Sequence, residues 1–571
     1  LPAALCVGEG GFMHTFQFGL SLGWWSVLAI VTFLAAVFVY DITQTEDAIL
    51  HNFPVIGHLR SILQALGPFF RQYWILSDTE DKPYSRIEMG YIKTSAERKN
   101  NKIGFGTERA YTAVGELHIK NKNIGIIPEA EMPDNYVHTP IIYGPRRRKP
   151  YICTSRINVT NMSRGALSAE AIEALSIGAK LLDCHKGTGE GGVTEADLQF
   201  GCKLIVQIGP AKFGFRTLDG KLDPEKVRAL EFQENVVAIE IKLAQGAKPG
   251  LGGTLPKEKL TPEIATIRGV PLGQDCHSPN CWSEFRTAAE LIDFVEYIAE
   301  LAGKPVGIKV VPGDLEEIEE LAALMAKTGK GPDYIVVDGG EGGTGAAPVT
   351  FADHVGLPIS KSLPAVDNIL RQYGIRERVV LTASGKLASA ADIFIAFALG
   401  ATTVNLGRGY LFSIGCIQAR KCHTNECPTG ICTQDKRLRK GLNPAKKSIR
   451  MYNFGAELNR ELVMLMRAVG ARNTWELHRG MVSMVVAPGI LKPLSQMFPY
   501  PQGSERILSP LTPEKFDNLK EAKKRTEELE LQLLAESDSD PIKAMSRLVE
   551  QAQLSTAHPN LFTDSYVETE K

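Results

Sequence analysis

Apolar and polar positions follow two different rhythms along the chain. From about residue 150 onward, short β-rich apolar runs, each followed by a glycine-rich loop, alternate with stretches of helical period. The runs are KLLDCH (180–185), KLIVQIG (203–209), AIEIKLA (238–244), VGIKVV (306–311), YIVVDGG (334–340), RVVLTASG (378–385) and TTVNLGR (402–408). Between them lie SAEAIEALSIGAK, TAAELIDFVEYIAELAG, LEEIEELAALMAKTG and SAADIFIAFALG. In the second of these, Leu291, Phe294, Val295 and Ile298 share one helical face, suited to lie on a sheet. Strands apolar on both faces and alternating with helices predict a parallel sheet. With YICTS or INVTN near 151–161 as the first strand the count reaches eight. The pattern therefore predicts an α/β fold, a (β/α)8 TIM barrel over 150–480, with an open doubly wound sheet as the alternative.

The amino end reads differently. Residues 23–40, GWWSVLAIVTFLAAVFVY, carry no charge over eighteen positions. That is close to the roughly 17–20 residues a helix needs to cross a bilayer. Trp24, Trp25 and Tyr40 would stand at the headgroup belts. A signal peptide would carry a basic region first, yet residues 1–22 hold no Lys or Arg. The first basic residues after the span are Arg60 and Arg71, which predicts that the bulk of the chain lies in the cytoplasm. A cleaved signal or a buried helix are the alternatives. The expected organisation is a short segment 1–22, a transmembrane helix 23–40, a juxtamembrane and pre-barrel region 41–149 in which SILQALGPFFRQYWI packs, the barrel, and a helical extension and tail 481–571.

Composition adds little beyond class. Apolar residues at 44% and charged residues at 23% are those of a folded protein. Lys and Arg (64) nearly cancel Asp and Glu (65), so no global field recruits nucleic acid. The run Arg146-Arg147-Arg148-Lys149 reads as a solvated or phosphate-facing turn.

In such a barrel, chemistry collects at the carboxyl ends of the strands. Lys309, Gly339 to Gly345, Ser384-Gly385 and Gly407-Arg408 all fall there. Glycines after the last two strands predict a phosphate cup, where a Cβ would obstruct backbone N–H groups, and a ribityl phosphate fits it with Arg408 supplying charge. Lys309 suits the pyrimidine edge of a flavin, unless it serves only to pair a neighbouring carboxylate. Lys242, Lys248 and Lys309 are candidate cations for the carboxylates of an α-keto acid. GEGGTG (340–345) matches the dinucleotide fingerprint but is followed by a stretch broken at Pro348 and Pro358, so it reads as a long active-site loop. No other nicotinamide-binding unit is found, so a partner is expected to deliver the electrons.

Cys416, Cys422, Cys427 and Cys432 crowd the segment GCIQARKCHTNECPTGICTQD. Their spacing fits neither a zinc ribbon nor a thioredoxin-like pair. An iron–sulfur cluster suits irregular spacing on a loop, and zinc, with His423, is the alternative. Cys276 and Cys281 in DCHSPNCWSEF either line the pocket or pack.

Taken together, NMSRGALSAEA, HKGTGEGG, IKLAQGAKPG, GGEGGTGAAP, RVVLTASGKL and the cysteine segment resemble the synthase domain of glutamate synthases, in that family's order, over roughly residues 150–480. The chain also looks like the bacterial membrane-anchored, glutamate-synthase-like flavoproteins, which implies a bacterial inner (plasma) membrane with the catalytic domain cytoplasmic. The resemblance implies an FMN held by Met162, Ser163, Gln207, Lys309, Gly340, Gly385, Gly407 and Arg408. It implies a 3Fe–4S cluster on Cys416, Cys422 and Cys427, with Cys432 a spare or a shield. Catalytic roles fall to Lys309, Gln207 and Glu190, and substrate contacts to Lys242, Gln245 and Lys248. The implied reaction is reductive amination of 2-oxoglutarate, through 2-iminoglutarate, to L-glutamate. A transferase of the N-methylglutamate synthase type, or a membrane-tethered electron-transfer subunit, are the alternatives on the same barrel. The family's glutaminase and β-helix patterns do not occur in these residues, which implies separate electron-donor and ammonia-supplying proteins. Leu251 stands where the family carries a Glu, and VVPGDLEE follows Lys309 in place of a Ser/Gly-rich stretch.

Overall fold

The computed structural model describes residues 10–99, 101–504, 508–518 and 521. The chain divides into two compact units, Leu1–Ile87 and Glu88–Lys571.

In the first unit one helix runs Gly10–Thr43, and its stretch Trp24–Thr43 is long and apolar enough to cross a membrane. That stretch runs three residues past the expected end at Tyr40. Asp41, buried, accepts from the Val55 backbone N–H (2.8 Å) and lies 2.9 Å from His58 Nε2. These bonds tie the helix end to a second helix, Gly57–Phe70, which continues into a π-helical turn, Arg71–Ile75. The packing expected of this segment is not found. Leu59, Ile62, Leu63, Phe69 and Trp74 are all exposed.

In the second unit eight parallel strands close into a barrel. They are β1 (Ile157–Val159), β2 (His185–Gly187), β3 (Lys203–Ile208), β4 (Val236–Lys242), β5 (Val306–Val310), β6 (Tyr334–Asp338), β7 (Val380–Ser384) and β8 (Thr403–Leu406). Each pairs with the next, and β8 closes on β1 through Val404–Ile157 to Leu406–Val159. The open doubly wound alternative is thereby excluded. Strands β4 to β8 are buried almost throughout, as their apolar runs require, because helices cover the outer face. Two boundaries differ from the sequence reading. KLLDCH does not form a strand: Lys180 and Leu181 end the helix Ala169–Leu181, and β2 begins only at His185. Of the two candidates for the first strand, INVTN supplies β1.

YICTS lies instead in an antiparallel hairpin, Ile141–Tyr143 with Tyr151–Cys153, that plugs the amino-terminal end of the barrel. Tyr143 sits between Tyr151 and Tyr334, with ring centres 5.4 and 5.2 Å away. Gly307 makes the space for the Tyr334 ring, which a Cβ would strike. The run at 146–149 is neither solvated nor phosphate-facing at its first two members. Arg147 Nε meets Asp333 Oδ2 at 2.7 Å, and Arg146 reaches Glu296 at 3.0 Å and Asp333 at 3.3 Å. Desolvating two guanidinium groups is costly unless carboxylates meet them, and here two do.

Helix Pro444–Val469 packs against Ala169–Leu181, where Gly178 admits the Met451 side chain. After the barrel the described part of 481–571 begins as strands rather than helix. Val482–Ala487 and Ile490–Pro493 form a sheet with Leu117–Ile119. Of the helical extension and tail expected over 481–571, residues 522–571 lie outside the described residues.

Candidate functional site

The carboxyl ends of the strands bring most of the expected residues to one mouth. Period-two alternation in β4 turns Ala238, Glu240 and Lys242 to the same side. Glu240 is fully buried and its Oε1 accepts from Gln207 Nε2 (2.7 Å) and Asn161 Nδ2 (2.8 Å). Its Oε2 has no hydrogen-bond partner among the described residues. Burial pushes its pKa above the usual carboxylate range, although Lys309 and Gln207 oppose the shift.

Lys309 lies on β5, level with Lys242 of β4. Its Nζ stands 3.0 Å from Asp338 Oδ2, which also accepts the Gly246 N–H at 3.0 Å. Burial opposes its charge, but Asp338 and Glu240 together hold its pKa above the ordinary lysine value. The cation expected at the mouth and the lysine paired to a neighbouring carboxylate are therefore one arrangement.

The second cluster stands over the ends of β3 and β4. Lys242 Nζ donates to Glu190 Oε1 (2.8 Å) and Gln245 Oε1 (2.7 Å). Gly209 and Gly253 leave the room that the Glu190 carboxylate fills. Burial acts against its ionisation, but Lys242, backed by Lys248 and Arg268, holds Glu190 below the usual range. Lys248 is buried with no ion pair within 4 Å among the described residues, and burial and Lys242 lower its pKa. Glu190, Lys242, Gln245 and Lys248, assigned to catalysis and substrate binding from sequence, thus form one group.

The glycine loops after β6, β7 and β8 converge. At Gly385, where φ is +126°, a Cβ would stand 2.9 Å from the Gly339 nitrogen. Arg408 donates to the Glu341 carbonyl at 2.6 Å and lies against Gly343. Beside Gly407 lies Thr160, whose buried hydroxyl has no hydrogen-bond partner. Met162 and Ser163 follow β1, and Gly189 (φ +71°) lets the loop after β2 press against them. No helix opens directly on GEGGTG, since the next helix is Val349–His354.

The cysteine loop is sewn to this mouth. Ile431 O accepts from the Ser168 N–H at 2.8 Å, and Gln434 Nε2 donates to Gly165 O (3.3 Å) and Leu167 O (3.0 Å). Lys259 Nζ bridges Ala166 O (3.2 Å) and Cys422 O (3.1 Å). The loop therefore rests on the segment that begins with Met162 and Ser163. Within it the Cys432 thiol hydrogen-bonds both Cys422 and Cys427 and holds their thiols down, to about 7 and about 4, while burial pushes Cys416 up to about 11. Among the described residues no three Cys, His, Asp or Glu side chains are placed to grip one metal ion. His423 is thus not brought into a zinc set. Cys432 is thus a hydrogen-bond neighbour of both Cys422 and Cys427.

A family profile described as "Conserved region in glutamate synthase" matches residues 107–472. The chain belongs to the glutamate synthase family. It is 38% identical over 479 residues to the glutamate synthase large subunit-like protein YerD of Bacillus subtilis, covering 78% of this chain and 91% of that protein. It is also 37% identical over 322 residues to the archaeal glutamate synthase [NADPH] of Archaeoglobus fulgidus, and there it spans only 59% of the relative. Among solved structures, a mandelate oxidase variant with a monooxide FMN adduct aligns over 76% of this chain and 99% of its own, at 15% identity and a TM-score of 0.38. With membership in the family comes the class of enzyme, a glutamate-synthase-like oxidoreductase.

Sequence reasoning missed Glu240, Asp338 and Asn161. The signal was present for Glu240, a lone acid inside the apolar run AIEIKLA whose alternation sets it in register with Lys242. Asp338, closing YIVVD ahead of two glycines, sits where barrel strands deliver functional groups. Cys276 is buried and packs, whereas Cys281 is exposed in a cavity of about 420 Å³ that Lys212, Arg216, His277 and Arg286 also line.

Proposed function

We propose that the chain is an FMN- and iron–sulfur-dependent enzyme that makes L-glutamate from 2-oxoglutarate and ammonia by way of 2-iminoglutarate. The observation that carries this reading is the buried group Lys242, Lys248, Glu190 and Gln245 beside Lys309, facing a cup of glycines at the same barrel mouth.

The residues fit FMN. Two buried acceptors, Glu240 Oε2 and Thr160 Oγ1, lack partners, and Gly385 and Gly407 keep Cβ atoms out of the cup. Met162, Ser163, Gln207, Lys309, Gly340, Gly385, Gly407 and Arg408 would hold the cofactor. FMN, when bound, supplies hydride chemistry, and Lys309 supplies a cation to a flavin edge that gains charge on reduction. Lys242 and Lys248 would bind the carboxylates of the keto acid, since a dicarboxylate needs fixed cations in a water-poor site. Glu190 stays ionised, so its role is to orient Lys242 and a cationic nitrogen rather than to release a proton. Glu240, whose pKa burial raises, is the carboxyl of the mouth better suited to pass a proton.

The thiol group fits an iron–sulfur core wider than a single ion. Cys416, Cys422 and Cys427 would be its ligands, with Cys432 donating to two of them. Its position on the Met162–Ser163 loop supports electron delivery into the barrel mouth from a separate donor protein. The stretch Trp24–Thr43 would anchor the enzyme in a bacterial plasma membrane with the barrel on the cytoplasmic side.

Anaerobic stopped-flow measurement tests the reading. Photoreduced enzyme should regain oxidised flavin absorbance on addition of 2-oxoglutarate with ammonium, and glutamate should appear. Reduced flavin left untouched by a panel of keto acids with ammonium would overturn it.

A further inference from the structure

We propose that Phe53–Ile75 is a second membrane contact, an amphipathic helix that lies in the headgroup zone of an anionic bilayer. The proposal deepens the anchored reading of Trp24–Thr43 and rests on it for the side of the membrane involved.

Three observations carry it. First, the apolar side chains of Gly57–Phe70 are not scattered. Ile56, Leu59, Leu63, Leu66 and Phe70 recur at intervals of three and four, and Ile62, Phe69 and Tyr73 widen the stripe beside them. This face is bare: Ile56 is 75% exposed, Phe69 61% and Trp74 79%. A contiguous exposed stripe of this size marks a contact surface, unlike isolated surface leucines.

Second, the charges match one occupant. No Asp or Glu occurs between Asp47 and Asp78, and the cations there are Arg60 and Arg71. At 100° per residue both fall along one edge of the stripe. With Leu59 and Leu63 they line a groove of about 720 Å³. An apolar floor beside guanidinium groups suits acyl chains beneath lipid phosphates. Phe69, Phe70, Tyr73 and Trp74 at the far end are the residue types that settle at the bilayer interface, and Phe70 and Trp74 meet edge to face at 5.1 Å.

Third, the segment is held where a bilayer surface would be. Asp41, near the carboxyl end of the apolar stretch, bonds Val55 and His58 at the start of the second helix. The stripe therefore begins where the span ends. A second protein surface could cover a stripe of this kind, but a purely cationic edge starting at the end of a membrane span favours lipid.

The test uses the full chain in phosphatidylcholine–phosphatidylglycerol vesicles whose phospholipids are brominated near the glycerol end of the acyl chain. The emission of Trp74 is taken as the difference between the wild type and Trp74→Phe, and that of Trp24 as the difference from Trp24→Phe. Loss of most of the Trp74 emission, restored in Arg60→Glu/Arg71→Glu, supports the interfacial helix. Quenching of Trp24 with undiminished Trp74 emission overturns the proposal while the span stands, and so does Trp74 emission that responds only to protein density in the bilayer. Quenching of Trp74 without Trp24 keeps the interfacial helix and removes the span. Quenching of neither, in protein that does not float with the vesicles, removes both.

Discussion

Ion pairs answer the arginine turn at one end of the barrel more fully than the charges at the other, although Arg156, buried just before β1, has no carboxylate partner among the described residues. At the amino-terminal end Arg146 and Arg147 are met by Glu296 and Asp333, and three tyrosines fill the space beneath them. At the carboxyl-terminal end charges are only partly answered. Among the described residues Lys248 is buried without an ion pair, Glu240 keeps one oxygen without a partner, and Glu190 depends on Lys242. Burying an unpaired polar group costs free energy that folding alone gives no reason to spend. The arginine turn at the floor is paired, and the mouth keeps polar groups that are unpartnered among the described residues.

Among substitutions, breaking the floor should have the largest effect on stability. Asp333→Asn removes the charge shared by two arginines and should lower stability by about 3 kcal/mol, as losing one member of a buried ion pair does. A urea titration reads this directly. An unchanged midpoint would mean that the floor carries no more than the mouth.

Acid should act on the same half. Burial lowers His185 to about 3 and His138 to about 4, from 6.5. Both are neutral in the folded chain, and the unfolded chain takes up their protons first. Stability from these groups is therefore complete above pH 6.5 and lost as pH falls from 6.5 toward 4, by on the order of 3 kcal/mol for each group. Urea midpoints measured from pH 7 to pH 4 should fall steadily, and His185→Gln should flatten the slope.

A smaller effect is expected at Gly307, where an added Cβ would press on Tyr334. Gly307→Ala should cost about 1–3 kcal/mol by overpacking. Thermal unfolding of the variant checks it.

The smallest change in stability is expected at the mouth. Lys248→Met removes a desolvated cation beside Lys242, so the stability read by a urea titration should not fall. The affinity for 2-oxoglutarate should fall about tenfold to a hundredfold, the worth of one charge-assisted hydrogen bond. Keto-acid titration monitored by flavin absorbance separates the two. A large loss of stability with unchanged affinity would reverse the roles of the two ends.

Much of the mouth was legible because barrel geometry converts sequence address into position. A residue that closes an apolar run points to the carboxyl face whatever lies between the runs, so Lys309, Gly385 and Arg408 could be placed before any coordinates. Pairings between one strand or loop and another were not legible. Lys242 with Glu190, and Lys309 with Asp338, join residues 52 and 29 positions apart. The Arg146–Arg147 turn misled for the same reason. A charge run looks solvated in sequence, and only the closed sheet brings Asp333 to it. KLLDCH misled because its leucines complete a helix before the strand begins, and an apolar run alone cannot separate the two states. The stripe from Ile56 to Trp74 was read as packing, although its periodicity says only that one face seeks apolar surroundings.

The central claim is that the carboxyl-terminal mouth is built around a flavin mononucleotide. Acid release of cofactor from oxygen-protected, folded full-length protein tests it most directly. The account predicts a stoichiometric yellow supernatant that behaves as FMN rather than FAD or riboflavin. A folded chain that releases no flavin and takes up none from added FMN would contradict it.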